Sequence, residues 1–272
     1  MNSVMTADTP TPTTTPEDAP LLFQRDARGV VTLTLNRPQT FNALSEGLLT
    51  ALQAALVRVA ADPGARVLVL AANGKAFCAG HDLKEMRAQP AQAYYEQLFA
   101  QCSRVMLAIQ QLPVPVIAQV QGIATAAGCQ LVAQCDLAVA VQEARFAVSG
   151  VNLGLFCSTP SVALSRNLSR KAAFEMLVTG DFISAEQALA KGLLNRVVAA
   201  DALQAEVAQL VDHIVAKPRV ALAMGKALFY RQLESGVAAA YDDAAHTMAC
   251  NMMDSSALEG VLAFIDKRPP EW

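Results

Sequence analysis

The sequence has no excess of positive charge and no long uninterrupted hydrophobic run. Its 21 lysines and arginines are outnumbered by 24 acidic residues, for a formal net charge of −3, and they form no cluster. A nucleic-acid-binding protein would show a basic patch, so no nucleic-acid partner is expected. The longest apolar stretch, residues 114–141, is interrupted by four glutamines and an aspartate. It predicts a buried strand, a turn and a buried helix, and we expect no membrane partner.

Several catalytic signatures are also missing. The chain contains no G-x-G-x-x-G, no G-x-x-x-x-G-K-[ST] and no G-x-S-x-G, which argues against dinucleotide-binding, P-loop and serine-hydrolase sites. None of its three histidines, His81, His213 and His246, has the i, i+4 partner of a helical zinc site, so no metal site is predicted. We interpret His213 and His246 as packing or partly exposed residues.

The six cysteines include no C-x-x-C pair, and several lie in apolar stretches where a free thiol behaves as a small hydrophobic group. Because the sequence shows no secretory signal, we expect reduced thiols and a cytoplasmic location. Residues 1–20 are rich in Thr and Pro and lack Lys and Arg, which predicts a disordered tail rather than a signal or transit peptide. The cysteines are Cys78, Cys102, Cys129, Cys135, Cys157 and Cys250.

Strand and helix patterns alternate through most of the chain, which predicts an α/β fold with largely parallel strands. Residues 21–200 form this predicted core. From residue 201 to residue 272 only helical patterns occur, so this part is predicted to be a C-terminal helical region. Strands are expected at residues 30–36, 67–72, 114–120 and 137–141, and helices at residues 45–61, 91–111, 124–134, 201–216, 219–234, 237–250 and 255–267.

Two turns rich in small residues follow predicted buried strands, at residues 74–84 (GKAFCAGHDLK) and 122–130 (GIATAAGCQ). Ligands favour the carboxyl ends of strands in α/β sheets, and unpaired N–H groups at a helix start can hold negative charge. Two such N–H groups at one point would form an oxyanion hole. Turns between strands and helices also carry Gly and Ala for steric reasons alone, so the two turns by themselves leave both interpretations open.

Several short stretches recur together in one known family: residues 35–38 (LNRP), 42–44 (NAL), 76–84 (AFCAGHDLK), 120–122 (VQG), 128–129 (GC), 135–136 (CD), Gly180, Ala188 and 192–193 (GL). Through them the chain, from residue 22 to residue 269, resembles the crotonase, or enoyl-CoA hydratase/isomerase, superfamily. Residues 150–160 (GVNLGLFCSTP) are similar to one branch of that family.

The resemblance implies a crotonase-like spiral of ββα units, with the C-terminal helical region at residues 201–272 serving oligomerisation as a homotrimer or hexamer. It implies an acyl-coenzyme A thioester as the substrate, in fatty-acid metabolism, and lyase or isomerase chemistry. Coenzyme A is part of that substrate, so no separate cofactor is expected.

By the same resemblance, the backbone N–H groups of His81 and Ala127 form the oxyanion hole. The second turn reads Ala-Ala-Gly where the family usually has Gly-Gly-Gly, and alanine donates an N–H only at backbone angles that it tolerates. Lys84 would meet a phosphate of coenzyme A, although a solvated lysine fits equally well. Asp82 is interpreted as the N-cap of the next helix rather than as a reacting group. The implied substrate-binding residues are Ala79, His81, Asp82, Leu83, Lys84, Ala127 and Cys157.

The chain departs from the family's hydratases at both catalytic positions. These enzymes use two glutamates, and the corresponding positions hold Gln130 and Gly150. A positioned general acid or base is typically worth about 10²–10⁴ in rate, so efficient hydration by the usual route is not expected. Four other residues could supply a base, although solvated or packing roles fit them better: Glu85, Glu96, Tyr94 and Tyr95.

Three functions therefore stay open. The chain could be an enzyme that stabilises a thioester enolate, or a protein that binds acyl-CoA without catalysis. It could also decarboxylate a malonyl-type thioester, which needs no base. Residues 80–82 (GHD) and 151–154 (VNLG) are similar to the methylmalonyl-CoA decarboxylase branch, which has a tyrosine in place of Cys157. Cys157 could instead attack a thioester, although a buried inert thiol is the better interpretation because no histidine is an obvious base for it.

Overall fold

The structure, a computed structural model, describes residues 18–272. Most of the predicted disordered tail, residues 1–17, lies outside the described residues. The described chain has ten strands and eleven α-helices, so the predicted α/β class is confirmed. The strands are β1 (Leu21–Arg25), β2 (Val30–Leu35), β3 (Val67–Ala72), β4 (Ala76–Cys78), β5 (Val116–Val120), β6 (Ile123–Thr125), β7 (Leu137–Val141), β8 (Arg145–Ala147), β9 (Ile183–Ser184) and β10 (Arg196–Val198). The helices are α1 (Glu46–Ala61), α2 (Leu83–Ala88), α3 (Gln92–Gln111), α4 (Ala127–Gln134), α5 (Ser158–Asn167), α6 (Arg170–Thr179), α7 (Ala185–Lys191), α8 (Leu203–Val215), α9 (Arg219–Gln232), α10 (Val237–Met252) and α11 (Ser255–Ile265).

The larger sheet has six strands in the order β1-β2-β3-β5-β7-β10. All neighbours run parallel except β1, which pairs antiparallel with β2. Strand β3 lies inside this sheet and is buried along nearly its whole length, as its continuous apolar sequence predicts for a parallel strand covered on both faces. The four predicted strands are present in this sheet.

A smaller sheet has four strands in the order β4-β6-β8-β9, and its strands are absent from the sequence prediction. Strands β4, β6 and β8 run parallel, and β9 is antiparallel to β8. Each has only two or three residues, too few to show a period of two. The carboxyl ends of the three parallel strands lie at one edge, so the turns that follow them lie side by side.

Local sequence explains most helix boundaries. Ser45 caps α1 by accepting a hydrogen bond from the Leu48 N–H. Helix α4 begins at Ala127 instead of the predicted residue 124, because residues 123–125 form β6 and Ala126 has a left-handed φ of 49° that no α-helix accommodates. Alanine is a strong helix former, so composition alone placed the start too early.

The predicted C-terminal helices are present as α8, α9, α10 and α11. A buried polar cluster anchors α9 to the core. The Lys226 ammonium lies 2.6 Å from an Asp136 carboxylate oxygen, and the Tyr230 hydroxyl donates to the other oxygen at 2.6 Å. Lys226 also donates to the Ile109 and Val114 carbonyls, so its charge is fully hydrogen-bonded. Within residues 18–272, no helix has both the length and the apolar character to cross a membrane.

Candidate functional site

The first turn lies between β4 and α2, and the backbone of Leu44 holds it in place. The Leu44 N–H donates to the Gly80 carbonyl at 2.8 Å, and the Asp82 N–H donates to the Leu44 carbonyl at 3.2 Å. Leu44 therefore bonds the residues on either side of His81. The N–H of His81 points away from this ladder and has no hydrogen-bond acceptor among residues 18–272.

Asn42 fixes the loop that carries Leu44. Its side chain is fully buried and donates to the Asn73 and Ala76 carbonyls at 2.8 and 2.9 Å, while its oxygen accepts from the Arg37 N–H at 2.8 Å. Asn42 has a left-handed φ of 54°, which asparagine tolerates better than most residues. The two short stretches at 35–38 and 42–44 are thus the scaffold of the first turn.

Asp82 caps α2, as predicted: its side chain accepts from the Lys84 N–H at 3.1 Å. The other carboxylate oxygen is 3.1 Å from the Arg37 guanidinium. Burial alone would raise the pKa of Asp82, but hydrogen bonds from Arg37 and from backbone N–H groups outweigh it and hold the pKa below its usual value. Asp82 is a tethered carboxylate rather than a free base. Leu83 and Lys84 are exposed at the start of α2.

The second turn lies between β6 and α4. Ala126 adopts φ 49° and ψ −121°, and its N–H donates to the Ala147 carbonyl at 2.9 Å. Its carbonyl accepts the first bond of the helix, from the Gln130 N–H at 3.0 Å. The N–H of Ala127, the first residue of α4, has no acceptor in the described part of the chain, as is usual at a helix start.

The two turns touch each other. A Cβ on Gly80 would lie 2.9 Å from the Ala126 Cβ and 3.3 Å from the Ala127 nitrogen. Gly80 also has a left-handed φ of 93°, so both space and conformation require glycine there. The Thr125 hydroxyl donates across the pair to the Ala79 carbonyl at 3.0 Å. The structure thus brings the predicted residues of both turns together, with one unpaired N–H on each.

Gln130 lies one helical turn after Ala126. Cα–Cβ bonds of an α-helix tilt toward its N-terminus, so the side chain of Gln130 leaves the helix in the direction of the second turn. Only 4% of the residue is exposed, and its Oε1 has no hydrogen-bond donor among the described residues. A buried amide oxygen without a donor is costly, by about 1–3 kcal/mol, which marks this position as one where a bound group or water would fit.

Gly150 follows β8, at the same sheet edge as the two turns. A Cβ at this position would lie 2.4 Å from the Leu155 carbonyl oxygen and 2.7 Å from the Cys157 sulfur. The Gly150 N–H donates to that sulfur at 3.3 Å. The space that a side chain at position 150 would need is therefore filled by the loop that leads into α5, a feature that no sequence pattern could reveal.

Aromatic residues of α3 cover the His81 side chain. The His81 and Phe99 rings meet edge to face at 5.3 Å, and Tyr95 stacks on Phe99. Burial lowers the pKa of His81 to about 4, and the nearby Leu44 carbonyl opposes this only in part. That carbonyl is not within hydrogen-bond geometry, and neither ring nitrogen has a partner among residues 18–272. His81 is neutral near pH 7.

The candidate replacement bases are already engaged or inert. Glu85 accepts from the Glu46 N–H at 3.0 Å, Glu96 accepts from a glutamine of its own helix, and the Tyr95 hydroxyl donates to a carbonyl. The Tyr94 hydroxyl is buried and lies close to the Glu46 carboxylate without reaching hydrogen-bond geometry. Burial and that carboxylate raise the pKa of Tyr94 to about 12, so the hydroxyl keeps its proton near pH 7 and does not act as a base.

A groove of about 680 Å³ lies along α5 and α6, lined in part by Phe156, Arg170 and Phe174. None of the residues predicted for the site lines it. Among its described lining residues no buried polar atom lacks a partner, so the edge of the smaller sheet is the better candidate site. In residues 18–272 no three His, Cys, Asp or Glu side chains gather as a metal site would require.

Comparison with known proteins supplies the family. A family model described as enoyl-CoA hydratase/isomerase matches residues 25–272. The chain is similar to enoyl-CoA hydratase domain-containing protein 3 of Xenopus laevis, with 44% identity covering 94% of this chain and 87% of the relative. The solved structure of the human protein of that name shares 43% identity and a TM-score of 0.90, and covers 93% of this chain and 100% of its own. The branch suggested by residues 150–160 is thereby confirmed.

A solved enoyl-CoA hydratase from Mycobacterium smegmatis is 70% identical to this chain, with a TM-score of 0.92, covering 93% of this chain and 98% of that structure. The crotonase fold expected from the sequence is confirmed by these structures. The expected cytoplasmic location is wrong, as the names of the similar proteins show. The Xenopus relative and its rat, mouse and human counterparts, at 43–44% identity, are all named mitochondrial proteins.

Proposed function

Because the chain belongs to the enoyl-CoA hydratase/isomerase family, we propose that it binds an acyl-coenzyme A thioester and stabilises the enolate of that thioester. The close approach of the two turns carries this proposal: a Cβ on Gly80 would lie 3.3 Å from the Ala127 nitrogen, and the N–H groups of His81 and Ala127 are both unpaired within residues 18–272. Two backbone donors in a water-poor site would stabilise negative charge on the thioester oxygen. The positive end of the α4 dipole, at the N-terminus of that helix, would stabilise the same negative charge.

The proposal does not extend to hydration by two glutamates. We place Gln130 and Gly150 at the positions of the family's catalytic carboxylates. The amide of Gln130 can orient a water but cannot take its proton, and Gly150 offers no side chain. The side chains of Glu85, Glu96 and Tyr95 are already hydrogen-bonded, which supports the conclusion that they do not replace the two glutamates.

Two variants test the proposed donor at position 127. Proline is tolerated at the first position of a helix, where it removes the N–H. Ala126→Gly is made first, since glycine tolerates the turn better, and Ala127→Pro is then added to it. Arg170→Pro, at the first position of α6, is the matched control for proline itself. The loss of one oxyanion donor typically costs about 10²–10³ in rate.

The assay is mass spectrometry of enoyl, malonyl-type and saturated acyl-CoAs incubated with the folded protein in deuterated water. We expect deuterium gain or loss of CO₂ at the α-carbon with Ala126→Gly, and a drop of about 10²-fold or more when Ala127→Pro is added. Arg170→Pro should behave as the wild type. Binding of thioesters with no change in any of them would show a non-catalytic binder and refute enolate chemistry.

The filled space at Gly150 favours one reaction over the others, the decarboxylation of a malonyl-type thioester. Loss of CO₂ leaves its electron pair on the α-carbon, so the enolate forms without a base. Enolisation of a saturated thioester would need the carboxylate for which position 150 has no room. Release of CO₂ from a malonyl thioester but not from a succinyl thioester, whose carboxylate is one carbon too far, is the expected result. No CO₂ from either would exclude this reaction.

We further propose a homo-oligomer, a trimer or a dimer of trimers. The support is a set of large apolar side chains that a single chain leaves exposed on its C-terminal helices. Static light scattering tests this directly, and a monomer at micromolar concentration would exclude it. The exposed residues include Phe229, Leu233, Val237, Tyr241, Met248, Met252, Met253, Leu258, Leu262, Phe264 and Ile265.

A further inference from the structure

The thiol of Cys157 occupies the place of a missing side chain. Its sulfur lies 2.7 Å from the point where a Cβ of Gly150 would be, and accepts the Gly150 N–H at 3.3 Å. Position 150 follows β8, beside the turn of Ala126, because β6 and β8 are neighbouring parallel strands. Cys157 is 7% exposed, so the thiol lies at the margin of the core rather than deep inside it.

A second observation points to a ligand at the same place. The amide oxygen of Gln130 is buried and has no donor in the described structure, and the Cα–Cβ bond of Gln130 tilts toward the start of α4. Cys129, the residue before it, is close enough to Cys157 for the two thiols to interact electrostatically. Helices α4 and α5 pack against each other; Gln130 lies in α4, and Cys157 is the N-cap residue of α5.

Resting on the decarboxylation proposed above, we propose that Cys157 is the catalytic proton donor to the α-carbon of the enolate. The bond between the α-carbon and the carboxylate breaks and CO₂ leaves. The electron pair forms the enolate, whose oxygen is held by the N–H groups of His81 and Ala127. The α-carbon then takes the proton from the Cys157 sulfur, and the resulting thiolate recovers a proton from water.

The surroundings of the sulfur favour both the protonated thiol before proton transfer and the thiolate after it. Burial raises the pKa of the Cys157 thiol, and the Gly150 N–H opposes this only in part, so the resting group carries its proton. After transfer, the same N–H can stabilise the thiolate. Cys157 is also the N-cap residue of α5, where the helix dipole favours negative charge. Asp82, the carboxylate of the first turn, does not compete for this role because it is bound to Arg37.

The test uses the coenzyme A thioester of α-methylmalonate in deuterated water, because its product gains a stereocentre when deuterium is added. The configuration of the deuterated product is read by NMR after chiral derivatisation. We expect one configuration from the wild type. Cys157→Ala should still release CO₂ but yield equal amounts of both configurations, since solvent then reaches either face. Cys157→Ser, which keeps an O–H donor, should restore one configuration.

Cys135→Ala is the matched control, because it removes another buried thiol at the far end of α4 and should behave as the wild type. Circular dichroism and titration with acetyl-CoA check the fold and binding of each variant. If Cys157→Ala does not fold, Cys157→Val fills at least the volume of the thiol and offers no proton. A single configuration from the alanine or valine variant would overturn the role of Cys157, as would a mixture from the wild type. Absence of CO₂ from the wild type would instead overturn the decarboxylation itself.

Discussion

Placing a single methyl group at position 150 tests how tightly the site is filled. In Gly150→Ala the new Cβ would lie 2.4 Å from the Leu155 carbonyl oxygen and 2.7 Å from the Cys157 sulfur, well inside van der Waals contact. The first neighbour is backbone and cannot rotate away. Overpacking of this kind typically costs about 1–3 kcal/mol, and we expect the free energy of unfolding to fall by about 2–3 kcal/mol.

Urea unfolding followed by circular dichroism measures this change, with stability taken from the midpoint and slope of the transition. Gly225→Ala is the matched control. No atom lies within 4 Å of its new Cβ, and Gly225 is inside α9, so alanine should stabilise by about 0.5–1 kcal/mol. Adding Cys157→Ala to Gly150→Ala relieves one of the two contacts. The double variant should therefore be more stable than the sum of the single changes predicts, by about 0.5 kcal/mol or more.

The same contacts predict that a hydratase cannot be rebuilt by two substitutions. Gln130→Glu fits its helix, but Gly150→Glu would place its Cβ where the loop before α5 already lies. We expect the double glutamate variant to be destabilised and to show no hydration of an enoyl-CoA. A Gly150→Ala variant as stable as the wild type, or efficient hydration by the double glutamate variant, would refute this steric reasoning.

Three further predictions concern stability. Ala126→Gly should raise the free energy of unfolding, measured in urea, by about 1 kcal/mol. Alanine at φ 49° costs about 1–3 kcal/mol of backbone strain, and the greater freedom of glycine in the unfolded chain offsets only part of the relief. An unchanged or lower free energy of unfolding would show that the turn is unstrained. Acid should destabilise the protein through His81, because its pKa is lowered from 6.5 in the unfolded chain to about 4 in the folded protein. Between these pH values the unfolded chain binds a proton at His81 and the folded protein does not. The free energy of unfolding should therefore fall by up to about 3 kcal/mol as pH falls from 6.5 to 4. His81→Gln should flatten the pH dependence of urea midpoints over this range, and an unaltered profile would contradict the assignment. Lys226→Met should cost about 3–5 kcal/mol by leaving Asp136 buried without its cation, and a loss below about 1 kcal/mol would show that Tyr230 suffices.

The sequence predicted the larger sheet better than the smaller one. Strands such as Val67–Ala72 are long apolar runs, and the pattern alone identifies them. Strands of the smaller sheet, such as Ala76–Cys78, are defined by their neighbours rather than by their own composition. The helix predicted from residue 124 begins later because the backbone at Ala126 is set by the close approach of the first turn, a tertiary constraint that overrides propensity.

The candidate site likewise has features that the sequence predicts and features that it does not. The resemblance pointed to the turns of His81 and Ala127, and the capping role of Asp82 follows from residue type and position. The tether from Arg37 to Asp82 joins residues far apart in the chain, so no local pattern could predict it. The overlap of position 150 with the Leu155 carbonyl and the Cys157 sulfur is likewise a property of the folded loop alone.

The pairing of Leu44 with both neighbours of His81 has a consequence for how such a site can change over evolution. Every bond in this ladder is made by backbone atoms, so the direction of the His81 N–H does not depend on which side chain stands at 81 or at 44. The side chain at 81 instead packs against the aromatic residues of α3. The charge stabilisation that we propose therefore rests on the backbone of residue 81, so its side chain can change over evolution while the N–H donor is inherited unchanged.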